Sequence, residues 1–287
     1  MNTTNILFLV LMFSFSVGHS QKTEFVRSPD GLKIAYQIHG DGEIPLIFVH
    51  GWSCDKSYWK HQINYFKGKY KVVLIDLAGH GESEIGRESY TQELFGNDVS
   101  AVIKINHLND FILIGHSMCG GIVLETAVQN LKGTRAIFII DSFKRIPKTY
   151  TEEEINLIVE KQRSRWTMEN FQSEVYNWVK NLYHPESDSA LMEWIAKDMS
   201  SIDPFVGIDS WVNSYIYLGE FRNSLRMIGD IPVICINARS TPNIEKYRDF
   251  GVNFNAVKID DVSHFLMMSP ADTFNLLLDQ QLNTLSQ

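Results

Sequence analysis

The chain is punctuated by stretches that are apolar residue after residue: "IPLIFV", "KVVLI", "FILIG", "AIFII" and "IPVICI". A strand with one wet face alternates apolar and polar residues, whereas a strand apolar on consecutive positions is buried on both faces. Between these runs lie stretches whose apolar residues recur every three or four positions, the spacing of a helix with one buried face. Such an alternation specifies an α/β fold, a mostly parallel central sheet covered by helices on both faces. Ahead of it, "FVRSPDGLKIAYQIHG" has two β-like runs around a Pro-Asp-Gly turn, which predicts a hairpin. Helices are expected near Ser57–Phe66, over Thr91–His107 and Gly120–Asn130, near Asn243–Phe250 and over Pro270–Leu282. Sheets of this kind carry their sites beyond the C-terminal ends of the strands. The loops after Val49, Ile75, Ile114, Ile140, Ile236 and Ile259 are therefore where chemistry is sought.

The alternation is interrupted once. Residues 146–228 hold helical patterns such as "TEEEINLIVEKQRSRW", "TMENFQSEVYNWVKNLY", "SALMEWIAKDM" and "SWVNSYIYLGEFRNSLRM", with no strand pattern among them. This predicts a helical lid inserted between two strands of a core made of residues 21–145 and 229–287. Four of the six tryptophans, Trp166, Trp178, Trp194 and Trp211, fall in the insertion. Most are expected to build its own core, with one or two left to line a substrate cavity.

The first twenty residues read differently again. Ile6–Val17 is an apolar run of signal-peptide length, and Gly18 and Ser20 precede a cleavage point at Ser20/Gln21, although no Lys or Arg leads the run. Residues 1–20 are expected to be a cleaved export signal, which puts the mature chain in a periplasmic or secreted setting with no membrane span. A net charge of −8 and the lack of a basic cluster argue against a nucleic-acid partner. Cys54, Cys119 and Cys235 have no metal-ligand spacing, so no metal and no cofactor is expected. Cys54 and Cys119 lie at one end of the sheet and could pair, but half-buried free thiols are the expectation.

Within "ILIGHSMCGG" a strand turns abruptly into a helix at Gly115-His116-Ser117-Met118. A serine on such a turn is held exposed above the sheet at the positive end of the next helix, the setting of a nucleophile. Cys119 stands where a second glycine is usual. Two residues of helix rotate a side chain by about 200°, so Cys119 cannot share the pocket of Ser117 and is expected to pack against neighbouring strands. A serine needs a base. His264, in "KIDDVSHFLMMSP", follows the last apolar strand at the correct edge, while His50, His80 and His116 are expected to order their loops. The oxyanion of acyl transfer needs two backbone N–H donors, assigned here to Met118, after the nucleophile, and Trp52, in "HGWSC".

Taken together, "FVHGW", "YWKHQINYFKGKYKVVLIDLAGHGES", "LIGHSM" and "SHFLMMSPADTFN" resemble the α/β-hydrolase superfamily, in particular its lid-bearing, esterase-like serine members. The resemblance covers nearly all of residues 23–287 outside the lid. It implies a Ser–acid–His triad in that chain order. The acid usually follows the strand matching "IPVICIN", but the loop there reads "ARSTPN", with Arg239, Ser240 and Thr241 and no carboxylate. The superfamily also uses an acid at the end of the preceding strand, which here is Asp141. Asp260 and Asp261 are too near His264 in sequence to reach around its ring easily. A triad completed by another group and a Ser–His dyad stay open. Epoxide hydrolases and haloalkane dehalogenases of this fold use an aspartate at the elbow and are excluded by Ser117.

The expected activity is cleavage of a small, mainly apolar carboxylic ester or lactone through an acyl-enzyme on Ser117. Amide, thioester and carbon–carbon cleavage occur on the same scaffold. A ligand-binding or sensor protein with little turnover is the alternative from another class, favoured by the carboxylate missing after "IPVICIN". The oligomeric state is not legible.

Overall fold

The computed structural model describes residues 22–144, 149–182, 188–248 and 251–285. The export signal expected over residues 1–20 lies outside the described residues. Eight strands form one sheet: β1 (Glu24–Arg27), β2 (Lys33–His39), β3 (Pro45–Val49), β4 (Lys71–Ile75), β5 (Phe111–His116), β6 (Thr134–Ile140), β7 (Val233–Ala238) and β8 (Phe254–Ile259). Their spatial order is β1-β2-β4-β3-β5-β6-β7-β8. β1 and β2 pair antiparallel, as do β2 and β4, and every later pairing is parallel. The uninterrupted apolar runs are the middle of the sheet: β3, β5 and β7 are buried at every residue. At the edges the pattern relaxes, with β1 mostly exposed and β8 alternating.

Helices α1 (Lys60–Phe66), α2 (Gln92–Ile105), α3 (Cys119–Gln129), α9 (Ile244–Arg248) and α10 (Ala271–Thr284) flank the sheet. Successive residues of one strand join opposite cores, as the two-residue period demands. Leu46, Phe48, Ile112 and Ile114 pack with Phe66, Phe274 and Leu278 on the face of α1 and α10. Ile47, Val49, Leu113 and Ile137 pack with Phe95, Val99, Ile122 and Val123 on the face of α2 and α3.

Between β6 and β7 come α4 (Glu152–Arg163), α5 (Phe171–Val179), α6 (Ser189–Ser200), α7 (Pro204–Ile216) and α8 (Phe221–Met227). One stretch departs from the sequence expectation. Asp203 caps α7 by accepting from the N–H groups of Phe205 and Val206, so the helix starts at Pro204, earlier than the apolar spacing indicated. It ends before a 3-10 turn at Tyr217–Gly219, and α8 is a separate helix. Phe171, Val175, Ile195 and Met199 continue the α1/α10 core, whereas Phe221 and Leu225 of α8 join the α2/α3 core. Among the described residues no helix is long and apolar enough to cross a membrane.

Candidate active site

β5 ends at His116, and Ser117 takes a left-handed backbone with φ of 55°. Its N–H donates to the Ile140 carbonyl at 2.8 Å, which fixes the turn to the neighbouring strand β6. α3 then starts at Cys119, so the chain folds back tightly on β5. Gly115 makes this possible: a Cβ there would stand 2.5 Å from the Cys119 carbonyl oxygen. The position of Cys119 carries no such restriction. Its side chain is fully buried in the α2/α3 core, and its Sγ–H donates to the His50 carbonyl at 2.5 Å. The thiol therefore ties the elbow to the loop after β3, a polar link that reading it as a pure packing residue left out.

The three residues expected to form a triad lie in hydrogen-bond contact. His264 Nε2 is 2.9 Å from Ser117 Oγ, and His264 Nδ1 is 2.5 Å from Asp141 Oδ2. Asp141 follows β6 directly, with φ of 49°. Its other oxygen accepts from the Ala238 N–H at the end of β7 and from Lys144 Nζ, each at 2.7 Å. Burial by itself would raise this carboxyl, but the hydrogen bond and charge of His264, with Lys144 beside them, outweigh it. They hold the group at about 2, below its ordinary 3.8. Asp260 instead pairs with Lys258 on the surface.

Other groups steady the histidine loop. His116 Nε2 is 2.9 Å from the His264 carbonyl and donates to it when that nitrogen carries the proton. Burial, followed by the nearby His264, lowers His116 to about 3, so it is a neutral pin. Arg239 occupies the loop where a carboxylate was sought, and its Nε donates to the Val262 carbonyl, two residues before His264. The side chain that stands where a carboxylate was sought thus braces the loop of His264. His50 and His80, lowered by burial to about 4 and about 3, bond to loop backbone: His50 with Gly51 and Leu77, His80 with Ala78.

Ser117 opens into a cavity of about 420 Å³ whose wall includes Met118, Phe143, Trp211, Tyr217 and Phe221. Met118 borders it from the elbow, and Trp52, in the loop after β3, packs against Trp211 of its wall. Neither the Met118 nor the Trp52 backbone N–H donates to another group among the described residues. The Trp52 indole N–H donates to the Gly207 carbonyl of α7 at 2.8 Å. Its ring stacks on Trp166 at 5.1 Å and meets Trp178 and Trp211 at 5.7 and 5.1 Å. The Arg165 guanidinium lies over the three insertion rings at 4.7, 5.0 and 5.4 Å. Trp194 is apart from this cluster, against Tyr58.

Cys54, Cys119 and Cys235 are free and buried, not half-buried; Cys54 donates to the Trp52 carbonyl and Cys119 to that of His50. Among the described residues no cluster of His, Cys, Asp and Glu has the arrangement of a metal site. Lys144 and the bracing role of Arg239 escaped sequence reasoning. A cation three residues after Asp141 was the signal available for the first, and nothing marked the second.

The family model for the alpha/beta hydrolase fold matches residues 44–216. The chain belongs to the α/β-hydrolase fold family. Among curated relatives, a non-heme haloperoxidase of Rhodococcus erythropolis is 31% identical over 110 residues, 38% of this chain and 40% of that protein. A bifunctional esterase/perhydrolase of Acinetobacter calcoaceticus is 33% identical over 99 residues, 34% of this chain and 36% of that protein. The matched stretch thus spans well under half the length of these two relatives. An esterase structure from Exiguobacterium antarcticum superposes with a TM-score of 0.72 at 18% identity, over 92% of this chain and 99% of that one. A thermophilic esterase from Thermogutta terrifontis gives 0.70 at 16% identity, over 93% and 100%. At such identity the likeness to these structures shows the fold.

Proposed function

We propose that the protein is a serine hydrolase that cleaves a small, mainly apolar carboxylic ester or lactone. The observation that carries this reading is the unbroken contact Ser117 Oγ to His264 Nε2, and His264 Nδ1 to Asp141, at the mouth of an apolar cavity. Neutral His264 takes the Ser117 proton at Nε2 while Oγ bonds to the substrate carbonyl carbon. The oxyanion accepts from the Met118 and Trp52 backbone N–H groups, a pair of donors whose individual loss costs on the order of 10²–10³ in rate. Asp141 keeps the proton of His264 on Nδ1 and stabilises the imidazolium. His264 then protonates the leaving alkoxide, and the ester bond breaks. Water repeats the cycle on the acyl-enzyme, giving its proton to His264 and releasing the acid and Ser117.

The names of the esterase and esterase/perhydrolase relatives agree with this chemistry. With Asp141 against His264, the binding-only alternative loses the missing carboxylate that favoured it. The apolar run Ile6–Val17 further supports action outside the cytoplasm, after cleavage at Ser20/Gln21. N-terminal sequencing of protein recovered outside the cytoplasm tests that point, and an intact Met1 would sink it.

The enzyme reading is tested with a fluorophosphonate probe and a panel of short-chain esters and lactones. Rapid labelling that disappears in Ser117→Ala, with an acyl-enzyme burst, is the expected result. A folded wild-type protein that neither labels nor turns over any member of the panel would overturn the proposal.

A further inference from the structure

The cavity that holds Ser117 has a neighbour. A second cavity of about 460 Å³ lies between α2, α3 and the α7–α8 corner of the insertion, with Val128, Ile216 and Met227 in its wall. Gln92 and Tyr217 border both cavities. One face of α3 floors the pair. Met118 and Gly121 lie under the first cavity, and Glu125 and Val128, one and two turns beyond Gly121, lie under the second. Ile216 and Met227 are exposed, so the second cavity has an apolar opening to solvent.

Tyr217 stands on that floor where the two cavities meet. It opens the 3-10 turn between α7 and α8. Its ring edge rests on Gly121: a Cβ there would be 2.9 Å from Tyr217 Cε1 and 3.0 Å from Cδ1, so no side chain fits beneath the ring. The Tyr217 hydroxyl donates to Glu125 Oε1 at 2.8 Å, and Ser224 Oγ donates to the same oxygen at 2.6 Å. The ring is thus fastened across one turn of α3, by bare backbone at one end and a carboxylate at the other. Elsewhere the wall of the Ser117 cavity is backed by further rings. Phe143 meets Phe221 edge-on at 4.2 Å, and Trp211 packs on Trp52 and Trp166. At Tyr217 the wall is one side chain thick, with the second cavity behind it.

Building on the serine hydrolase reading above, we infer that Tyr217 is a specificity-determining residue for chain length: its ring ends the space open to the substrate chain that runs along α3, and so confines the enzyme to short esters. Gly121 comes four residues after Ser117, roughly 6 Å along a helix axis. An extended chain advances about 1.2 Å per bond, so a chain leaving the reacting carbonyl along α3 meets the ring after about five bonds. A shorter chain never reaches it. A longer one has to displace a ring held by Gly121 and Glu125, or turn out into water. In water each further methylene forgoes its burial, roughly fourfold in binding apiece. With the ring removed, the same chain would run on over Glu125 and Val128 into the second cavity.

The test uses two ester series, p-nitrophenyl esters of straight-chain acids and acetates of straight-chain alcohols, so that each side of the ester is lengthened in turn. In one series wild-type kcat/KM is expected to fall between the four-carbon and ten-carbon chains by on the order of 10-fold or more. Tyr217→Ala should raise the ten-carbon to four-carbon ratio of that series by on the order of 10- to 100-fold. Tyr217→Phe keeps the ring and loses the bond to Glu125, and its ratio should stay near that of wild type. Gln92→Ala removes the other side chain shared by the cavities and should raise the ratio by a smaller factor. Each ratio is internal to one preparation, so a partly folded variant lowers both rates alike. Should Tyr217→Ala not fold at all, the wild-type ratio and Gln92→Ala decide. Equal rates on both lengths in both wild-type series, or a ratio that neither Tyr217→Ala nor Gln92→Ala raises, overturns this inference. So does a Tyr217→Phe ratio as high as that of Tyr217→Ala, which would assign the limit to the Glu125 bond rather than to the ring. Fluorophosphonate labelling of the wild-type protein separates the two levels. Labelling and ester turnover without a length limit remove the role of Tyr217 alone, whereas neither labelling nor turnover removes the hydrolase reading as well.

Discussion

The sheet edge that carries Ser117, Asp141 and His264 and the helical insertion that faces it are held together by different forces. At the edge, single polar atoms are fixed by neighbouring strands: Ser117 N–H to Ile140, Asp141 to Ala238, the His264 loop to His116 and Arg239. In the insertion the contacts are broad and ring-on-ring, with Trp166, Trp178 and Trp211 gathered around Trp52. Its first helix, α4, buries no residue at all and is supported by a capping box between Thr151 and Glu154. Directional bonds hold atoms to fractions of an ångström, which proton transfer requires; apolar contacts fill volume and tolerate rearrangement. Precise placement belongs to the strand edge, and adaptable volume to the insertion.

The largest expected effect strikes the edge. Asp141→Asn should lower kcat by about 10⁴-fold, since the imidazole loses the group that sets its tautomer. The protein should still fold, and steady-state kinetics beside a thermal melt check both halves. Undiminished turnover in that variant, with Asp260→Asn or Asp261→Asn inactive instead, would move the acid elsewhere.

In the insertion, Trp166→Ala should cost about 3–5 kcal/mol of stability, the usual loss for a buried tryptophan. Its effect on activity should appear in KM more than in kcat. Urea unfolding and kinetics at several ester lengths test this, and a pure kcat loss would show that the insertion positions reacting atoms.

A third effect concerns acid. The folded-state pKa of Asp141 is depressed to about 2 from an ordinary 3.8. The corresponding stability is about 2 kcal/mol. It is present above about pH 4 and is lost as pH falls through about 2. The melting-temperature gap between wild type and Asp141→Asn should close over that window; a gap independent of pH contradicts the linkage.

Asp198, on α6, shows the opposite sign. Burial raises it to about 6, the Tyr58 hydrogen bond at 2.7 Å opposes that rise, and the charge of Asp55 adds to it. A raised carboxylate favours the fold most at low pH and loses that advantage as pH rises through about 6. Asp198→Asn should therefore melt higher than wild type at pH 8 and no higher at pH 4. Equal melting at both would mean that the Tyr58 bond offsets the burial.

The smallest effect is expected on α4. Leu157 is 60% exposed, and Leu157→Lys should change stability by less than about 0.5 kcal/mol. A large loss on urea unfolding would mean that α4 is covered by something in solution.

The sheet was legible because strands buried on both faces leave unbroken apolar runs, and Ser117 and His264 were legible because position along the chain brings them to one edge. Asp141 was legible as a candidate only, since many strands of this kind end in an aspartate. Arg239 was not: its role depends on the Val262 carbonyl, and a backbone acceptor leaves no trace in sequence. The tryptophans were visible singly, but their gathering around Trp52 joins residues more than a hundred positions apart.

One bond gives that gathering a mechanical meaning. The Trp52 indole N–H holds the Gly207 carbonyl, and the same residue's backbone belongs to the loop that Cys119 ties to the elbow. Loop, elbow and α7 are thus links in one chain of contacts. Swinging α7 away from the sheet would break that bond and pull the Trp211 indole off Trp52, so the displacement of one helix would be felt in the loop that Cys119 ties to the turn at Ser117.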